Sequence, residues 1–168
     1  MTKKLFLIFA GGILAIPFMI IIGYVCMVLF GTGVSKERLL VNAAANDNLI
    51  QFKKIAAEGV DLNTKEGLLG QTPLTATTFA LGTNVFGYLL STGVNVDGRN
   101  NDGQTPLITA IMASGDANLF KIKALITAGA NVNARDKWGN SVLHYTEMGS
   151  SHTYAQTILI LKEKGAKE

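Results

Sequence analysis

The pentapeptide Gly-Gln-Thr-Pro-Leu occurs twice, at Gly70–Leu74 and at Gly103–Leu107, thirty-three residues apart. Self-similarity at such a period is the mark of stacked supersecondary units, and it limits the possible folds more tightly than composition does. The surrounding positions recur as well. Registered on the glycine after each second apolar run, four segments close on "AEGVDLN" (Gly59), "STGVNVD" (Gly93), "TAGANVN" (Gly129) and "EKGAKE" (Gly165), in steps of 34, 36 and 36 residues. Four positions before each glycine stand Ile55, Leu89, Leu125 and Leu161, and seven before stand Phe52, Phe86, Ile122 and Ile158. Residues three apart share a helix face, so the two columns form one apolar stripe on the second helix of each unit. The first helices align on Leu40, Leu74, Leu107 and Leu143.

The repeated pentapeptide reads as a helix start. Glycine permits positive φ, Thr72 or Thr105 can cap through its hydroxyl, and Pro73 or Pro106 occupies the first helical position, where no donor is needed. Asp102-Gly103 is a tight-turn signal and predicts a hairpin between successive helix pairs. Asn48, Gly82, Gly115 and Ser151 mark the turn inside each pair. The unit is helix, turn, helix, hairpin.

From residue 39 to 168 the chain resembles the ankyrin family, on "DGQTPLITA", "AGANVNARDKWGNSVLH" and "GVDLN". The resemblance implies a mostly α solenoid of about four helix-turn-helix/β-hairpin units, near residues 39–65, 66–99, 100–135 and 136–168. One unit cannot bury its own apolar face, but about three or more stack into a continuous core. The third and fourth units carry three extra residues between their helices, which predicts longer loops, and the fourth has Ser141-Val142 in place of Thr-Pro. Three residues before the repeat glycine stand Ala56, Leu90, Ile126 and Lys162, a series that is small or polar at both ends, where no neighbour stacks.

Ahead of the repeats, a short basic terminus (1–4) with Lys3 and Lys4 precedes an uncharged stretch at 5–30, and residues 31–38 form a linker. About 20 helical residues cross a hydrocarbon core, so Leu5–Phe30 reads as an N-terminal transmembrane helix, with Pro17 as a kink. A cleaved signal peptide is the rival, although its apolar core normally runs about 7–15 residues. Cys26 lies within the stretch as an apolar thiol, and no later cysteine exists to form a disulfide. Lys3, Lys4 and the amino terminus favour a cytoplasmic N-terminus, with the repeats facing outward. The chain also resembles small bacterial ankyrin proteins held in the cell envelope, which implies an inner-membrane anchor and periplasmic repeats.

Setting Lys3 and Lys4 aside leaves thirteen basic and twelve acidic residues, so the sequence pI of about 9.0 does not signal a nucleic-acid surface. Catalytic groups are equally scarce. His144 sits where, in the family it resembles, a histidine makes structural hydrogen bonds, His152 falls in an inter-helix loop, and Tyr145 and Glu147 complete no recognisable constellation. No cluster has metal-ligand spacing, and the glycines are accounted for by turns. The reading is a protein that is not an enzyme and needs no cofactor.

The resemblance implies binding to another protein through hairpin tips and the concave face of the first helices. The tips map to Lys65, Leu68 and Leu69, then Arg99, Asn101 and Asp102, then Arg135, Lys137 and Trp138. Lys65, Arg99 and Arg135 align as a basic row that either steers an acidic partner or is simply solvated. Phe79, Met112 and Met148 align five residues after the leucine column, as an apolar row that is either interface or packing. Two functions stay open: an envelope module that binds a secreted toxin or a neighbouring enzyme, as immunity or accessory protein, and a cytoplasm-facing adaptor recruiting a soluble protein to the membrane.

Overall fold

The computed structural model describes residues 34–113, 116–147 and 152–167, which fall almost wholly within the compact unit Lys36–Glu168. The proposed membrane segment 5–30, with Cys26 and Pro17, lies outside the described residues. Among the described residues, no helix is long and apolar enough to cross a membrane.

The described residues form four helix pairs: α1 (Lys36–Ala45) with α2 (Leu49–Ala56), α3 (Pro73–Thr77) with α4 (Asn84–Ser91), α5 (Pro106–Met112) with α6 (Asp116–Thr127), and α7 (Val142–Glu147) with α8 (His152–Glu163). The first helices pack in series, α1 on α3, α3 on α5 and α5 on α7, and each pair's second helix lies behind its first. Their starts follow the residues named in the sequence. Thr72 Oγ1 accepts the Thr75 N–H at 3.1 Å, and Thr75 Oγ1 accepts the Thr72 N–H at 2.7 Å, a reciprocal capping box ahead of Pro73. Thr105 caps α5 through the Ile108 N–H at 3.4 Å. Ser141 replaces threonine without losing the function, since its Oγ accepts the His144 N–H at 3.2 Å.

The apolar columns meet in one core. Leu40, Leu74, Leu107 and Leu143 are buried, as are Phe52, Phe86 and Ile122 and the row Ile55, Leu89, Leu125 and Leu161. Ile158, in the last described pair, is half-buried. Full burial of such a side chain stabilises by roughly 1.5–3 kcal/mol, so the columns, not the short helices, hold the array together.

A polar ladder runs beside this core and explains the closing motif. Asn63 Oδ1 accepts the Asn95 N–H at 2.9 Å, Asp97 Oδ1 accepts the Asn131 N–H at 3.0 Å, and Asn133 Oδ1 accepts the Lys167 N–H at 2.8 Å. Each acceptor is oriented by an Asx turn, its own N–H donating to Asp61, Asn95 or Asn131 two residues earlier. The Asn or Asp ending each motif therefore joins one unit to the next.

Three expectations need correction. The extra residues of units three and four lengthen the second helices to 12 residues, against 8 for α2 and α4, because the added residues extend the hydrogen-bonded helix at its N-terminal end. For the same reason His152 opens α8 and is not a loop residue. Among the described residues the β-hairpins are reduced to isolated bridges, Glu66 with Gln71 and Arg135 with Ser141. Gly115 and Ser151 lie outside the described residues.

Candidate functional site

Among the sequence-predicted surface residues, Leu68, Leu69 and Phe79 are brought together. They line an open groove of about 520 Å³ between the first two units. Its inner side is α1, through Arg38, Val41, Asn42 and Ala45, and its far side is Ala76 on α3 and Phe79 in the turn that follows. The first hairpin forms the remaining wall with Glu66, Leu68, Leu69 and Gln71. Leu68 is 96% exposed, and Leu69 and Phe79 are each more than half exposed. Exposed apolar groups from separate elements around one groove are unusual on a surface with no use for them. Gln71 adds a polar feature: its Oε1 is buried and has no hydrogen-bond partner among the described residues.

The groove's α1 wall escaped sequence reading. Arg38, Val41, Asn42 and Ala45 follow the spacing of three and four that puts residues on one helix face, a signal present in the sequence but ambiguous until the opposite wall is known.

The polar tip residues behave differently from the apolar ones. The Asn101 N–H donates to Leu69 O at 2.9 Å and its amide to Leu68 O at 3.2 Å, while the Lys137 N–H donates to Asp102 O at 3.0 Å. Each hairpin is thus tied to the next. Arg99 donates to Gly103 O at 2.6 Å and also to Arg135 O, and Arg135 donates to Gly139 O at 2.8 Å. The basic row is accordingly not three equivalent free charges: two guanidinium groups bracket hairpin carbonyls, whereas Lys65 is simply exposed. Lys137 pairs with Asp102 and lies 4.4 Å from the Trp138 ring centroid. Trp138 and Met112 remain exposed away from the groove, and Met148 lies outside the described residues.

Close approach between hairpins also explains the glycine of the repeated pentapeptide. Gly70 and Gly103 have φ of 56° and 72°. A Cβ on Gly70 would meet Asn101 Oδ1 at 2.2 Å, and one on Gly103 would meet the Lys137 nitrogen at 2.7 Å.

The opposite, inter-helix edge holds a second polar network that the sequence did not disclose. Asp47, at φ 52°, turns its carboxylate onto the next unit, accepting the Val85 N–H and the Asn84 amide, both at 2.8 Å. Lys121, wholly buried, reaches back from α6 and donates to Thr77 O at 2.8 Å and to Ala80 O. Burial pulls the Lys121 ammonium below its ordinary pKa, opposed by the charge of Asp47.

Near the third hairpin, Asp136 accepts from Tyr145 Oη, from the Trp138 N–H at 2.9 Å and from the Asn140 N–H and amide at 2.9 and 3.0 Å. Burial acts to raise this carboxyl, but the hydrogen bonds outweigh it and hold its pKa below the ordinary value. Burial, followed by the Asp136 hydrogen bond, raises Tyr145. This network shapes the hairpin. His144 is exposed, its ring edge-on to Tyr145 at 5.7 Å between centroids. Among the described residues, no group of His, Cys, Asp or Glu side chains is arranged to hold a metal.

Comparison with known proteins agrees with this geometry. A family model described as "Ankyrin repeats (3 copies)" matches residues 40–136. The chain is 34% identical over 127 residues to neurogenic locus notch homolog protein 2 of Homo sapiens, covering 75% of this chain. It is 35% identical over 94 residues to notch homolog protein 1 of Xenopus laevis, or 55% of this chain. An ankyrin repeat protein of Borreliella burgdorferi is 28% identical over 123 residues, covering 72% of this chain and 29% of that protein. The matched stretch spans only 5% and 4% of the two notch proteins.

Proposed function

The chain belongs to the ankyrin-repeat family, a family of protein-interaction modules, and from that premise we propose that it is a membrane-anchored, non-catalytic protein-binding protein. Its partner docks along the groove of the first two units. The observation that carries this reading is the convergence of exposed Leu68, Leu69 and Phe79 around an apolar floor large enough to take an anchoring side chain. A buried acceptor without a partner costs about 1–3 kcal/mol, so a donor from a bound chain that engages Gln71 would recover part of that cost. Lys65, Met112 and Trp138 extend the contact surface, with Met148 as a further member, and Arg99, Asn101, Arg135 and Lys137 hold the tips in position.

Residues 5–30 anchor the protein in a bacterial inner membrane, and the repeats face the periplasm. There the module acts as an immunity or accessory protein toward a secreted toxin or an envelope enzyme. The length of the uncharged stretch and the basic residues before it support this placement.

The test pairs residues 36–168 with a variant carrying Leu68, Leu69 and Phe79 as alanine, each used as bait in envelope and cytosolic extracts. A stoichiometric partner held by the first and released by an equally stable variant is the expected result. Equal capture by both would move the interface elsewhere. A topology reporter fused after Glu168 checks orientation, and activity on the cytoplasmic side would replace the envelope role with that of an adaptor.

A further inference from the structure

The groove accounts for one set of exposed apolar residues, but a second set lies along the inter-helix edge. Ile50 is 85% exposed, Leu81 92% and Phe120 59%. Ile50 opens α2 just after the first turn, Leu81 lies in the second turn, and Phe120 is on α6 beside Lys121. The hydrogen bonds of Asp47 to Asn84 and Val85, and of Lys121 to Thr77 and Ala80, place these three sites on successive neighbouring elements. They form one row.

The charge near this row is mostly positive, although Asp116 precedes Phe120 by four residues on α6. Lys53 and Lys54 follow Ile50 by three and four residues, and Lys123 follows Phe120 by three, spacings that share a helix face. All three lysines are exposed. Helices α2 and α4 contain no acidic residue, and the Asp47 carboxylate is turned inward onto the Val85 N–H.

We propose that this edge is a docking surface for an anionic lipid bilayer, with Ile50, Leu81 and Phe120 entering the headgroup boundary and Lys53, Lys54 and Lys123 meeting the phosphates. Exposed apolar side chains spread over separate helices and a turn gain by entering a deformable interface, whereas a protein partner would need a matching pocket for each. Lysines near an anionic surface supply the long-range attraction. The inference stands apart from the groove and from the anchor, because the surface belongs wholly to Lys36–Glu168, which has its own continuous core.

The experiment is flotation of residues 36–168 with vesicles of phosphatidylcholine alone or mixed with phosphatidylglycerol. Binding is expected to the mixed vesicles only, and to weaken in high salt. Replacing Lys53, Lys54 and Lys123 by Gln is expected to weaken partitioning about fivefold per lysine, and Leu81→Ser about tenfold. Phe79→Ala, in the groove, leaves vesicle binding unchanged while removing protein capture. Failure to float with the mixed vesicles, or binding indifferent to both sets of changes in proteins of unaltered circular dichroism, overturns the proposal. Capture by immobilised polyglutamate with no vesicle binding also refutes it, and reassigns the row to an acidic protein.

Discussion

Replacing Asp47 tests whether the units are joined through its carboxylate. Helix α4 begins after Thr83, whose side chain makes no capping bond, so its exposed N–H groups depend on the Asp47 carboxylate from the preceding unit. Losing an N-cap costs about 1–2 kcal/mol, and the charge-assisted bond to the Asn84 amide adds about 1 kcal/mol at this exposed position. Alanine would also have to hold φ 52°, a left-handed conformation that costs roughly 1–2 kcal/mol. Asp47→Ala is therefore expected to destabilise by about 3–5 kcal/mol. Asp47→Gly removes the cap but not the backbone freedom and should cost about 2 kcal/mol. Asp47→Asn keeps both an acceptor and tolerance of the left-handed region, so about 1 kcal/mol is expected from the lost charge. Urea unfolding of residues 36–168, followed by circular dichroism, gives the three values. The reasoning fails if Ala lies within about 0.5 kcal/mol of the parent, or if Asn is as damaging as Ala.

Gly82→Ala would put a Cβ 1.8 Å from Asp47 Oδ2, so it should cost about as much as Asp47→Ala, and most of that loss should vanish in an Asp47→Gly background. A thermodynamic cycle over the four proteins checks the coupling. Lys121→Ala leaves the Thr77 and Ala80 carbonyls unpaired and opens space, for an expected loss of about 3 kcal/mol, whereas Lys121→Met keeps the stem and should cost about 1 kcal/mol. Because burial lowers the Lys121 pKa, the unfolded chain binds that proton more tightly. This group's contribution to stability therefore rises as pH climbs from the folded value toward the ordinary lysine range, and denaturation curves of the Met variant should lack that rise. Asp136 has the same sign, in a lower pH window. Its depressed pKa contributes stability above the ordinary carboxyl value of about 4, lost as pH falls through the folded value, so Asp136→Asn should lower the melting temperature at neutral pH and much less in acid.

The helix starts, the buried columns and the capping residues were legible in the chain because each depends on spacings of three, four or thirty-odd residues. Thr72, Thr105 and Ser141 act through neighbours three positions away, and Leu40, Leu74, Leu107 and Leu143 are buried by the stacking that the repeat itself demands. Phe79 was singled out by its repeat column and Leu68 and Leu69 by their place at the first hairpin tip, whereas the α1 wall was not singled out. Exposed position alone could not reveal that Arg99, Asn101, Arg135 and Lys137 are engaged with neighbouring hairpins.

By itself, the sequence determined that this protein is an array of four stacked helix pairs, since period, turn chemistry and apolar columns are local or periodic properties and agree with one another. Only the tertiary structure decided how the pairs are joined and what their surfaces offer. Asp47 caps a helix in the next unit, Lys121 satisfies carbonyls 41 and 44 residues away, and Leu68 meets Phe79 across a groove walled by α1. The physical reason is the same in each case. A side chain's role there depends on which backbone groups a separate unit leaves unpaired beside it, and that is set by the stacking.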